Sequence, residues 1–117
     1  MADRNQTGAW RVSQQIAAAD TTQESNFLLR ESDRRAFVDF VAARNRTRAA
    51  STCQVGIKTG GYFYPLASLT LTTGNTWYPA QVQTWLYEGE TLCFAFASVV
   101  AADILDAAAV GHREFET

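Results

Sequence analysis

Few residues of this chain have the type and spacing that chemistry requires. The single histidine, His112, stands beside Arg113 and Glu114 near the end of the chain. A metal site needs several His, Cys or acidic ligands, and none lies at ligand spacing around it. As a general base it would need a nucleophile and an orienting carboxylate brought to it by folding. Glu88-Gly89-Glu90 pairs two carboxylates around a glycine. Glycosidase acids usually face each other across a cleft from separate strands, so a hairpin turn is the simpler account. Gly60-Gly61 lacks the Gly-Lys-Ser/Thr ending and the following helix of a phosphate loop. Asn5-Gln6-Thr7 and Asn45-Arg46-Thr47 match glycosylation triplets, which are common by chance. The chain is therefore expected to be no enzyme, with no catalytic residue, no metal ligand and no cofactor. A small hydrolase is the weakest reading.

Binding offers more. Trp77, Tyr78, Trp85 and Tyr87 fall within one short stretch. Trp85 and Tyr87 alternate with Val82, Thr84 and Leu86, so one of the two sets points away from the core. The aromatic set is core, a protein-interface anchor or a sugar-stacking platform. Arg44, Arg46 and Arg48 form a second candidate, a solvated loop or a contact loop for an acidic surface. Residues 30–58 carry seven basic groups, whereas residues 59–117 carry six acidic groups against Arg113 alone. A basic loop and an acidic half suit head-to-tail packing of identical copies. The candidate protein interface is thus Arg44, Arg46, Arg48, Trp77, Tyr78, Trp85 and Tyr87.

Length and composition set the frame. The chain has 117 residues, 47% of them hydrophobic and 19% charged, which suits one globular domain. The formal net charge of −2 argues against a dedicated nucleic-acid binder, and no aromatic interleaves with the arginine loop as a single-strand platform would require. No apolar run approaches the roughly 18–20 residues that cross a bilayer as a helix. The polar start, Met1 to Thr7, lacks the apolar core of a signal peptide, so a cytoplasmic origin is expected. Cys53 and Cys93 are too few for a disulfide framework and read as small buried hydrophobes, with a cross-strand bridge as the alternative.

Period-2 alternation runs through most of the sequence, with no long helical period to compete. Trp10 to Ile16 reads as a first strand, Asn26 to Arg30 as a short second run, and Glu31 to Arg35 as a charged turn. Arg34 to Ala43 is rich in strand formers and predicts a strand with Val38, Phe40 and Ala42 on one face, with a short helix as the alternative. Cys53 to Ile57 and Tyr62 to Leu66 flank Thr59-Gly60-Gly61 as a hairpin. Leu69-Leu71, Val82-Leu86, Leu92-Phe96 and Ile104 to Val110 complete about eight short strands. Ala107-Ala109 has helical propensity, yet the strand pattern continues through Val110-Gly111-His112. The fold class is all-β, an antiparallel sandwich or barrel.

Residues 53–111 resemble small β-sandwich virion proteins of tailed bacteriophages. The likeness rests on Val55-Gly56-Ile57, Gly61-Tyr62-Phe63-Tyr64-Pro65-Leu66, Leu69 to Trp77, Leu86-Tyr87-Glu88-Gly89-Glu90-Thr91-Leu92-Cys93-Phe94-Ala95-Phe96, Asp103-Ile104-Leu105 and Val110-Gly111. These are turn and strand signatures, and they carry no catalytic residues. The resemblance implies a jelly-roll-like β-sandwich. A single sandwich domain is expected over residues 9–117. Residues 1–8, within the N-terminal third that has no counterpart in the resemblance, are expected to form an extended arm that wraps a neighbour. The resemblance also implies a capsid decoration (cement) protein located in the virion, after assembly in the host cytoplasm. Its partners would be the major capsid protein or another virion protein and copies of itself, with no nucleic acid and no membrane. A collar, neck or fibre component, or a carbohydrate- or receptor-binding module, is the alternative.

Overall fold

A computed structural model describes residues 9–29 and 34–115; the expected arm at residues 1–8 lies outside them. The described residues form eight strands: β1 (Ala9–Ala17), β2 (Thr22–Phe27), β3 (Arg34–Asn45), β4 (Ser51–Thr59), β5 (Tyr62–Leu71), β6 (Tyr78–Leu86), β7 (Thr91–Ala97) and β8 (Ile104–Phe115). They pair antiparallel into two four-stranded sheets, ordered β1-β8-β3-β6 and β2-β7-β4-β5. Every connection crosses between the sheets except the β4–β5 hairpin and so winds the chain as a jelly roll. The all-β sandwich expected from the alternation is the observed fold.

Alternation fills the space between the sheets. Leu92, Phe94 and Phe96 of β7 face inward, opposed by Val38, Val41, Leu86 and Leu105 of the other sheet, and all are essentially inaccessible to water. Each such side chain contributes about 1.5–3 kcal/mol by leaving water, which holds the two layers together. The turn Gly60-Gly61 has φ of +56° and +85°, the pair of positive values that a two-residue hairpin needs. Ala107 and Ala109 are buried strand residues, so packing overrides alanine's helical preference.

Three expectations change. Arg34 and Arg35 belong to β3, as the strand expected from Arg34 to Ala43 has it and not the charged turn, whose residues Glu31 to Asp33 lie outside the described residues. The second strand is the polar Thr22–Phe27, not Asn26–Arg30; only Gln23, Ser25 and Phe27 oppose Phe96, Phe94 and Leu92, so little apolar period marks it. The third change affects the surface. A bulge between Val38 and Phe40 inserts one residue and reverses the phase of the strand beyond it. Val38, Val41 and Ala43 are buried, whereas Phe40 and Ala42 turn outward.

Cys53 and Cys93 are both free and buried. Cys53 faces the core with Val55, while Cys93 stands between inward Leu92 and Phe94 and so points to the other face of the sheet. That geometry forbids a bridge between them.

Candidate functional site

The outer face of the β1-β8-β3-β6 sheet gathers most of the candidate residues. At its centre Phe40 opposes Val110 and Ala42 opposes both Ala108 and Pro79. Phe40 is 48% exposed and Val110 37%. With Pro79 they frame a shallow, almost wholly apolar depression of about 210 Å³. The bulge at Asp39 and the small alanines of β8 together produce it: the bulge turns Phe40 outward, and alanine leaves the ring nothing to hide beneath.

Aromatic–cation stacks bound this strip at both ends. At one end Arg44 sits 4.4 Å from the ring centre of Trp77. At the other, Arg35 lies 4.2 Å over Trp85, which packs edge-on against Phe37 at 4.9 Å. Phe37 in turn stacks on His112 at 5.0 Å, and His112 Nδ1 is 3.8 Å from Asp39. Guanidinium–ring contacts fix both partners at modest cost in side-chain freedom. The strip is therefore framed by rigid, amphipathic groups, the types enriched at protein interfaces.

The three arginines of the candidate set meet acidic partners within the same chain. Arg44 and Arg46 donate from Nε to Asp106 at 2.9 and 2.7 Å. Arg48 donates from Nε to both oxygens of Asp103 at 2.8 and 2.9 Å. Asp103 also accepts from Asn45 Nδ2 at 3.2 Å and from the Val100 amide at 2.9 Å. Burial raises the Asp103 carboxyl, but the Val100 amide, Arg48 and Asn45 outweigh that and hold it below the usual carboxylate range. Asn45 Oδ1 accepts the Thr47 and Arg48 amides, shaping the corner from which these arginines reach back. The positive loop and part of the acidic half thus complement each other inside one molecule.

The aromatic set divides. Trp85 points outward while Leu86 is buried, as the alternation requires. Tyr78 turns toward the core edge, and its hydroxyl meets Thr72 Oγ1 and the Thr73 amide at 2.9 Å each. Trp77 and Trp85 stand eight residues apart along β6 and its approach, roughly 27 Å at strand rise, and each already carries a guanidinium on its ring. Tyr87, 47% exposed, lies in the turn beyond. No single stacking platform joins the three.

Sequence reasoning missed Phe40, Ala42, Pro79, Ala108 and Val110. A bulge leaves no mark that period counting detects, and the alanines look like core or helix. A second concavity, a groove of about 800 Å³, crosses the outer face of the other sheet between Glu24, Gln54, Ser68 and Thr70. Its lining is mainly hydroxyl, amide and methyl groups. Among the described residues, no three His, Cys, Asp or Glu side chains are grouped to hold a metal ion.

No protein-family model matches the chain, and no curated protein matches it. Among solved structures it is similar to the Drosophila NLP core, described for pentamer formation and histone binding, at 10% identity over 94% of this chain and 100% of that one, with a TM-score of 0.48. It is also similar to a Bacillus endospore appendage protein from a family of disulfide-linked pili, at 9% identity over 97% and 94%, with a TM-score of 0.49. A third likeness is to the T=1 particle protein of infectious bursal virus, at 6% identity over 96% of this chain and 40% of that one, with a TM-score of 0.34. All three likenesses are at very low identity.

Proposed function

We propose that this chain is a non-enzymatic structural protein that works by burying the outer face of its β1-β8-β3-β6 sheet against another protein. The observation that carries the reading is the exposed Phe40–Val110 pair in an apolar strip, framed by the Arg44–Trp77 and Arg35–Trp85 stacks. Contiguous exposed apolar surface rimmed by polar groups marks a protein-binding face. The resemblance of residues 53–111 to tailed-phage sandwich proteins supports a finer reading. In it, the chain is a capsid decoration protein seated on the head surface, with the major capsid protein and its own copies as partners. Trp77, Trp85, Arg44 and Arg46 would line the rim of that contact, with Arg48, Tyr78 and Tyr87 beyond it.

A second reading has its own observation. The groove across the other sheet presents hydroxyl and amide groups suited to a polyol, so a carbohydrate-binding module would use Gln54, Ser68 and Thr70, not the tryptophans. Light scattering of the purified protein, alone and with particles lacking it, tests the first reading. Saturable binding to those particles supports it. An inert monomer that binds glycans on an array overturns it in favour of the second.

A further inference from the structure

Four strands border the two sheets, and three of them carry the devices that block unwanted pairing. β6 contains Pro79, β5 contains Pro65 beside a register shift, and β2 is only six residues long. β1 has none of these. Its nine residues pair with β8 from Ala9–His112 to Ala17–Ile104 without a shift, and Arg11 is its only charged residue. Among the described residues no strand pairs with its outer edge, and a long, regular edge of this kind is a template for another strand.

Backbone direction can be read from the end of the strand. The Ala18 amide donates to the Asp103 carbonyl on the β8 side. Counting back through a regular strand, Ile16, Gln14, Val12 and Trp10 also direct their amides to β8. Ala9, Arg11, Ser13, Gln15 and Ala17 direct theirs to the open edge. On the core side of that edge Val12, Ile16 and Phe27 are only partly buried, and Gln14 beside them accepts a hydrogen bond from Ser25. Among the described residues the core is thus incompletely closed where β1 ends its sheet.

The sequence of β1 is close to symmetric about Ser13: Ala9-Trp10-Arg11-Val12-Ser13-Gln14-Gln15-Ile16-Ala17. Small residues lie at both ends, bulky apolar residues next and long polar residues next; Val12 and Gln14, beside the central serine, are the one unlike pair. We infer that two copies of this chain pair antiparallel through β1 about a two-fold axis beside Ser13. The two β1-β8-β3-β6 sheets then become one eight-stranded sheet. In this register Trp10 opposes the partner's Ile16 and Val12 the partner's Gln14 on the core side. Arg11 opposes the partner's Gln15 outside, so no like charges meet. This is the antiparallel register that pairs all nine residues. The axis is perpendicular to the sheet, so both Phe40–Val110 strips face the same way and the dimer is bivalent. The pairing uses the strand edge and does not depend on what covers the outer face.

Ser13→Cys and Ser13→Pro test it. In the proposed dimer residue 13 faces its own copy at about 5.5 Å between Cα atoms, within disulfide range. Ser13→Cys should therefore give a dimer on a non-reducing gel after mild oxidation, while Ala17→Cys, which opposes the partner's Ala9, should not. Ser13→Pro removes an amide that points to the open edge and leaves the β8 ladder intact. Its light-scattering mass should fall to that of one chain with the circular dichroism spectrum unchanged. A wild-type monomer, a Ser13→Cys variant that stays uncrosslinked, or a folded Ser13→Pro variant with wild-type mass overturns the pairing. Particle binding, read separately with Phe40→Asp, reports on the outer face, so the two claims fail independently.

Discussion

Arg48 holds Asp103 through one nitrogen, with Nε 2.8 Å from one carboxylate oxygen and 2.9 Å from the other, and so ties the corner after β3 to the corner before β8. The carboxylate is almost fully buried, whereas the arginine keeps part of its surface in water. The arrangement satisfies the charge where water cannot reach and positions Arg46, two residues back, on Asp106. The same corner therefore sets one end of the outer face.

Removing Asp103 should be costly. Asp103→Ala strands the Val100 amide and Arg48 and leaves Asn45 Nδ2 with Ser51 Oγ as its remaining acceptor, and a loss of about 3 kcal/mol is expected. Urea unfolding of the two proteins measures it. A loss below about 0.5 kcal/mol, the range of ordinary surface changes, would show that the corner does not depend on this carboxylate.

Acid should weaken the fold through the same group. Its pKa is lowered in the folded state, so its contribution is complete above the ordinary value of about 3.9 and is lost as pH falls through the lower folded value. Stability of the wild type should drop as pH falls below about 4, and Asp103→Asn should show a shallower drop. Equal slopes would assign the acid sensitivity to other carboxylates.

Gly111 is a packing requirement. A Cβ there would lie 1.9 Å from the Phe37 carbonyl oxygen and 2.5 Å from the Trp10 ring. Backbone cannot yield by that much without moving β3 away from β8. Gly111→Ala should cost about 3 kcal/mol or more, seen as a lowered melting temperature or as insoluble protein. A variant that melts like the wild type would contradict the strand register.

The two thiols should be silent in the native protein. Burial pushes Cys93 up to about 11 and Cys53 higher still, with the neighbouring Cys93 adding to the latter. A thiol reagent at pH 8 should modify neither until guanidinium unfolds the chain, when both react. Rapid labelling of one native thiol would place that side chain at the surface.

Much of this fold is written in period-2 alternation. Cys53-Val55-Ile57, Leu92-Phe94-Phe96 and the Gly60-Gly61 turn each declare a strand or a hairpin from local sequence, because burial of one face imposes the pattern. The outer face is written differently. Phe40 turns outward because of a single inserted residue at Asp39, and a bulge is a property of pairing between strands, invisible along one strand. The ion pairs of Arg44, Arg46 and Arg48 with Asp103 and Asp106 span more than fifty residues of sequence. Only the antiparallel register of β3 with β8 brings them together, which is why the charge asymmetry alone suggested a partner outside the chain.

If the outer face of the β1-β8-β3-β6 sheet binds protein, Phe40→Asp should weaken that binding. Phe40 is exposed, so the substitution should leave the melting temperature nearly unchanged while placing a charge in the apolar strip. Co-sedimentation with particles lacking the protein should show saturable binding for the wild type and a loss of at least tenfold in affinity for Phe40→Asp, about 1.4 kcal/mol. Wild-type binding that Phe40→Asp retains in full would show that this face is not the one that binds.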